Sequence, residues 1–177
     1  MIPEAPLVRS GSGLEPQGEG WFVVNAREAR WLAGDYGAYT RFEGDARFPQ
    51  VGINIGVLEP GQPACLYHAE PDQEGFLVLS GECLLLVEGE ERRLRAWDFF
   101  HCPPWTEHVL VGAGEGPCAI LAVGGREHTG VVYPDSELAR RHGASAARET
   151  RDAKEAYAAM RADEDVPYRD GWLPGGG

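Results

Sequence analysis

The stretch that decides the fold is GQPACLYHAEPDQEGFLVLSG, residues 61–81. Side chains alternate between the two faces of an extended chain, so His68 and Glu70 point to the same side. A Pro-Asp pair follows and favours a turn, and Glu74 then begins a second extended segment. Two neighbouring antiparallel strands would therefore direct His68, Glu70 and Glu74 toward one point.

A second stretch, WDFFHCPPWTEH at residues 97–108, carries two more histidines. Its Pro-Pro pair predicts a turn that leads into a strand beginning at His108. His101 lies in the strand before this turn, where it either lines a pocket or has a structural role. An imidazole near its usual pKa of about 6.5 can donate or accept a proton.

Short apolar segments recur at roughly ten-residue spacing over residues 51–123, each closed by Gly or Pro. The first segment alternates between the large residues Val51, Ile53 and Ile55 and the smaller residues Gly52, Asn54 and Gly56, which indicates a strand with small residues on one face. The 24 Gly and 13 Pro of the chain supply the turns. This pattern predicts an all-β antiparallel barrel or sandwich.

Together the two stretches resemble the motifs of the cupin superfamily. The first cupin motif reads Gly-x5-His-x-His-x(3,4)-Glu-x6-Gly, and this chain has one extra residue after its opening Gly. The second reads Gly-x5-Pro-x-Gly-x2-His-x3-Asn. The matching residues are His68, Glu74 and Gly81 in the first motif, and Pro103 and His108 in the second.

The chain also departs from both motifs. Glu70 stands where the first motif has its second His, and Gly112 where the second motif has its closing Asn. Trp97 and Trp105 stand where the second motif has its two Gly residues. A bulky ring at Trp105 would narrow the mouth of a barrel beside His108.

The resemblance implies a small single-domain cupin of the conserved-barrel type, a double-stranded β-helix or jelly roll. In cupins the matched positions are metal ligands, so we expect one divalent ion, Fe, Mn, Zn or Ni, at His68, Glu70, Glu74 and His108. His101 is the candidate catalytic acid or base. The alternatives are ordinary barrel histidines and carboxylates in contact with solvent.

The resemblance further implies a metal-dependent enzyme that acts on a small organic molecule inside the barrel. It allows oxygenase, decarboxylase or isomerase chemistry, with a dioxygenase as the first expectation, and the fold alone does not choose among them. The alternative is a non-catalytic cupin that binds or senses a small molecule with a degenerate metal site. A third interpretation is a structural barrel with a vestigial site.

The composition excludes several classes. The 177 residues have a net charge of −12, which argues against a partner that is nucleic acid or an anionic membrane surface. Neither a membrane span nor a signal peptide is recognisable, and no glycine-rich loop for a nucleotide cofactor is found. The four Cys include no Cys-x-x-Cys pair, which predicts reduced thiols in a cytoplasmic protein.

The composition also predicts three parts: a flexible arm at 1–19, the barrel at 20–134 and a helical extension with a frayed end at 135–177. Short helices are predicted at Ala26–Leu32 and Glu137–His142. A longer helix is predicted within 145–162, where an apolar stripe follows helical spacing. The family resemblance implies a homodimer, and this stripe and the Trp-Phe-Val-Val segment at 21–24 are candidates for its interface.

Overall fold

The computed structural model describes residues 1–175, which form twelve strands and two short helices. No helix in this range has the length and apolar composition needed to span a membrane. The elements, in chain order, are β1 Leu7–Ser10, β2 Gly13–Pro16, β3 Trp31–Gly34, β4 Gly37–Thr40, β5 Val51–Leu58, β6 Glu74–Ser80, β7 Glu82–Val87, β8 Glu90–Arg95, β9 Phe99–Cys102, β10 His108–Ala113, β11 Cys118–Gly125, α1 Glu137–Arg141, α2 Ala153–Ala156 and β12 Glu164–Val166.

Antiparallel sheets form the barrel. One has seven strands in the order β12-β3-β4-β5-β11-β6-β9, and the other has three in the order β10-β7-β8. A buried apolar cluster joins them, with side chains from β6 and β11 packed against side chains from β7 and β10. The sheets therefore enclose one core between them, and the predicted all-β double-stranded β-helix is confirmed.

Strand β5 shows why this core contains a cavity. Asn54, Gly56 and Leu58 line the interior, and two of these three side chains are small enough to leave space. Ile55 and Val57 face the other way and pack beneath Trp31. The alternation predicted for this strand is thus present, and its small face is the one that turns inward.

The predicted helix over Ala26–Leu32 is wrong. The Asn25 carbonyl accepts hydrogen bonds from Glu28 and Ala29, so the capping signal forms a single turn. The chain then enters β3, where Trp31 is completely buried and the strand pairs with both β4 and β12. Burial of a large aromatic side chain and two sets of strand hydrogen bonds outweigh the local capping preference.

The region predicted as a flexible arm contains the hairpin β1-β2. This hairpin docks on the segment before β3, since the Leu14 N–H donates to the Glu28 carbonyl at 2.7 Å. The Leu14 carbonyl in turn accepts from the Arg30 N–H at 3.0 Å. The composition of this segment did not reveal these backbone partners, because they come from residues outside the arm.

The predicted helix at Glu137–His142 is confirmed as α1, with the Ser136 hydroxyl accepting from the Ala139 N–H. The longer helix predicted within 145–162 is reduced to the four residues of α2. The reason is that Thr150 forms a two-bond antiparallel bridge with Tyr133, which holds this part of the chain extended. A long-range pairing therefore interrupts the apolar stripe.

The end of the chain returns to the barrel. Strand β12 pairs with β3, and Trp172 is buried with its ring centroid 5.0 Å from that of Trp31. The predicted frayed end lies partly outside the described residues, at Gly176 and Gly177. Within the described part, the extension is anchored to the outer face of the large sheet.

Candidate metal centre

The two histidines of the sequence motifs meet through their backbones. The His68 N–H donates to the His108 carbonyl at 3.1 Å, and the His108 N–H donates to the His68 carbonyl at 2.8 Å. This isolated antiparallel bridge places the two rings side by side, with centroids 4.8 Å apart. Both histidines are buried, so the barrel fixes their relative position.

The same ring nitrogen is anchored in both histidines. His68 Nδ1 lies 2.8 Å from the Leu66 carbonyl, and His108 Nδ1 lies 3.0 Å from the Thr106 carbonyl. A carbonyl oxygen only accepts, so each Nδ1 carries the proton that it donates. In the neutral rings Nε2 then has a free lone pair, which is the arrangement that metal-binding histidines adopt.

Two carboxylates face these Nε2 atoms. Glu74 Oε2 lies 3.3 Å from His108 Nε2, and Glu70 Oε1 lies 3.5 Å from His68 Nε2. The Glu74 side chain is 16% exposed and the Glu70 side chain 39% exposed. Glu74 therefore lies deeper in the barrel, and Glu70 lies nearer to solvent.

His68, Glu74 and His108 form the compact part of this group. Each offers one ligand atom, and the three atoms lie within 4.8 Å of one another. Two imidazole nitrogens and one carboxylate oxygen suit Fe(II), Mn(II), Ni(II) or Zn(II). The donor set and the anchored Nδ1 atoms thus fit a single divalent ion, as the sequence motifs imply.

Without an ion the four groups perturb one another. Burial, together with the charge of Glu70, raises the pKa of Glu74 to about 7. Burial, together with the charge of His68, lowers the pKa of His108 to about 4. The hydrogen bond with His68 lowers the pKa of Glu70. A divalent cation would remove this conflict, because it can neutralise both carboxylates at once.

The ligand atoms face a cavity of about 300 Å³. Its polar lining comprises Asn54, Cys65, Tyr133 and Tyr157 in addition to the histidines and glutamates. The apolar lining comprises Leu58, Ala64, Phe76, Val109, Leu110, Ile120 and Ala122. Apolar walls and converging polar groups thus share the lining about equally, and a concave space of this kind can hold a small molecule.

Two lining residues, Tyr133 and Tyr157, were missed by the sequence reasoning. The Tyr133 ring lies 6.1 Å from the His68 ring and 5.6 Å from the Tyr157 ring, measured between centroids. The Tyr157 hydroxyl is held in place by the Leu66 N–H at 3.1 Å. Both tyrosines lie outside the cupin motifs. Tyr157 belongs to the apolar stripe within 145–162 that predicted a helix, so no local pattern linked either tyrosine to the candidate metal site.

His101, the predicted catalytic acid or base, does not line the cavity. It is exposed on β9, whereas its neighbours Phe100 and Cys102 turn inward. Cys102 Sγ lies 3.4 Å from His108 Nδ1, which fixes the inward face of this strand. The alternation of the strand therefore directs His101 outward, and the structure corrects the prediction that it joins the other four residues.

The two tryptophans at the glycine positions of the second motif both have positive φ angles, 75° at Trp97 and 64° at Trp105. This left-handed conformation favours Gly, which explains the residue type in the motif. Trp105 is 50% exposed, and its N–H donates to the Glu70 carbonyl at 2.7 Å. It is absent from the residues that line the described cavity, so its ring does not fill the interior.

Comparisons with known proteins agree with this geometry. A family model described as "Cupin domain" matches residues 54–124, nearly the range 51–123 that carries the motifs. No curated protein matches the chain.

Three solved structures illustrate the likeness. The polyketide cyclase RemF from Streptomyces resistomycificus has a TM-score of 0.54 and 13% identity, over 63% of this chain and 83% of that protein. A predicted oxalate decarboxylase from Thermotoga maritima has a TM-score of 0.52 and 19% identity, over 58% and 97%. A putative sugar phosphate isomerase from Acidithiobacillus ferrooxidans has a TM-score of 0.43 and 27% identity, over 47% of this chain and 54% of that one.

The chain thus spans only about half of the length of that isomerase. At these identities the first two likenesses concern the fold alone. The fold, the motif residues and the family match lead to one conclusion: the chain contains a domain of the cupin superfamily.

Proposed function

We propose that this protein is a metal-dependent enzyme that converts a small organic molecule bound in the barrel cavity. His68, Glu74 and His108 would hold one divalent ion, with open positions on the side that faces the cavity. The observation that carries the proposal is that one ligand atom from each of these three residues lies within 4.8 Å of the others. His108 Nε2 faces Glu74 and His68 Nε2 faces Glu70, while each Nδ1 is held by a backbone carbonyl. A catalytic metal site typically has three protein ligands and leaves at least one position for a substrate.

Glu70 is the exchangeable member of the proposed ligand set. Its carboxylate is more exposed than that of Glu74 and lies outside the compact three-residue group. The lowered pKa of Glu70 keeps it ionised near neutral pH. Its carboxylate lines the cavity, where it would accept a proton from a bound substrate. This role replaces the one expected for His101.

The reaction class follows from the donor set. A bound divalent ion would polarise an oxygen of the substrate or, if it is iron, support oxidation. Two histidines and one carboxylate with open positions are also the ligands of non-haem Fe(II) oxygenases. Dioxygenase activity is therefore the first to assay. Isomerase activity, in which one carboxylate can remove a proton and return it, and decarboxylase activity follow.

Metal analysis tests the proposal directly. Protein purified without added metal is exposed in turn to Fe(II), Mn(II), Ni(II) and Zn(II), dialysed, and analysed by mass spectrometry for bound metal. We expect about one ion per chain for at least one metal, and loss of most of it in His68→Ala and His108→Ala.

His128→Ala is the matched control, because His128 pairs with Asp72 on the surface at 2.7 Å. It should bind metal as the unmodified protein does. Near-zero metal in the unmodified protein after all four exposures would contradict the proposal.

A further inference from the structure

The charged groups that line the cavity are of one sign, apart from any charge on the two histidines. Among residues 1–175, Glu70 and Glu74 reach this lining, whereas none of the 16 Lys and Arg residues does. An enzyme that binds a phosphate or a dicarboxylate usually places Arg or Lys against it, because a buried anion needs a charged partner. This cavity offers such a partner only in the metal itself.

A neighbouring groove does not supply the missing cation. It adjoins the cavity through Ala64, Cys65 and Tyr157, and its Arg161 forms two hydrogen bonds with Asp35, at 2.6 and 3.0 Å. Arg161 is therefore already neutralised, and it is absent from the lining of the cavity itself. An anion that entered from this side would meet a paired cation, outside the space that faces His68.

The bound state is balanced without any anionic ligand. One divalent ion carries two positive charges, the carboxylates of Glu70 and Glu74 carry two negative charges, and both metal-binding histidines are neutral. An anionic substrate would add a negative charge beside two carboxylates, with no cationic side chain in the described lining to pair with it, which is costly. A cationic substrate would be repelled by the ion.

The remaining polar groups suit an uncharged molecule. Asn54 offers an amide, and Tyr133 and Tyr157 offer phenol groups whose pKa values are raised by burial, so they stay protonated and can donate. The cavity of about 300 Å³ is about twice as large as a cavity of about 150 Å³ that holds benzene, so it suits a compound of one or two rings.

On the basis of the function proposed above, we infer that the substrate is an uncharged polar molecule of one or two rings. Phosphorylated sugars, dicarboxylates and the ionised carboxylate substrates of decarboxylases are then excluded, which narrows the proposed reactions to dioxygenase and isomerase chemistry. Two features impose this choice. The carboxylates of Glu70 and Glu74 already balance the charge of the ion, and the described lining contains no Lys or Arg. Tyr133, Tyr157 and Asn54 would provide its hydrogen bonds.

The test uses a pair of probes that differ in charge and are nearly equal in shape, glycolamide and glycolate. The Co(II)-loaded protein is titrated with each, and binding is followed by the visible absorption of the cobalt ion. Free metal ions prefer the carboxylate, so tighter binding of glycolamide would be a property of this cavity. We expect glycolamide to bind at least about tenfold more tightly than glycolate.

The variant Glu70→Gln removes one negative charge with almost no change in volume. It should tighten glycolate binding by at least about tenfold more than glycolamide binding, since only the added anion then completes the charge balance. Tighter binding of glycolate to the unmodified protein would overturn the inference. Absence of binding by both probes would also overturn it, because no substrate could then reach the ion.

The two proposals fail in different ways. If the protein takes up neither cobalt nor any of the four ions named above, the proposed metal centre itself is wrong. If it takes up one ion per chain but prefers glycolate, the metal centre stands and only the inferred charge of the substrate is wrong.

Discussion

The stability of the metal-free protein should depend on Glu74 in a specific way. Burial and the nearby Glu70 raise the pKa of Glu74 from 4.5 to about 7. Below pH 4.5 the carboxyl holds its proton in both the folded and the unfolded chain. Between these two pKa values the unfolded chain releases the proton and the folded chain keeps it, so the free energy of unfolding falls as pH rises.

The size of the fall follows from the shift. Each pKa unit corresponds to about 1.4 kcal/mol, so a shift of about 2.5 units gives a loss of about 3 kcal/mol by pH 8. In Glu74→Gln the group cannot ionise, and this loss should be absent. The difference between the two proteins isolates Glu74 from the other groups that titrate over the same range.

The assay is urea unfolding at several pH values from about 4.5 to 8, in the presence of a chelator, for the unmodified protein and the variant. Saturation with a divalent ion should restore the lost stability at the upper end, since the ion binds the ionised carboxylate. Parallel pH profiles for the two metal-free proteins would refute the reasoning, because Glu74 would then ionise at its ordinary pKa.

Three further predictions concern other parts of the chain. Metal affinity should rise between about pH 5 and 8, because Glu74 must release its proton, and a flat profile in titration calorimetry would contradict this. Trp97→Gly should raise the free energy of unfolding by about 0.5–1 kcal/mol, as measured with urea, because Trp97 is 72% exposed and its φ of 75° is strained for any residue except Gly. A loss of stability would mean that the Trp97 ring makes stabilising contacts. Trp172→Ala should cost about 3 kcal/mol, because this side chain is buried against Trp31; an unchanged free energy of unfolding would show that the end of the chain is not anchored.

The proximity of the four candidate ligands was largely predictable because the relations among them are local. Alternation along an extended chain placed His68 and Glu70 on one side, and the turn after them brought Glu74 back toward them. The spacing in the second motif added His108. These relations depend on backbone geometry over a few residues, and the structure brings all four side chains near one another. The homodimer and the cytoplasmic location stay predictions.

The same reasoning failed where a local signal competed with distant partners. The capping pattern at Asn25 predicted a helix, but β3 gains strand partners on both sides and buries Trp31. The stripe within 145–162 also predicted a helix, but Thr150 pairs with Tyr133 instead. Capping and helix propensity contribute about 1 kcal/mol, which is less than the burial of one large aromatic side chain.

By itself the sequence determined the kind of fold and named the four candidate metal ligands, since strand alternation and turn residues act over short distances. Alternation also predicted which residues share a face of β9. Only the packing of the two sheets decided that Cys102 faces the interior and His101 faces outward. The walls of the cavity were likewise a tertiary result. Tyr133 and Tyr157 reach it from beyond the motifs, and the lack of a cation there depends on where every Lys and Arg side chain ends in space.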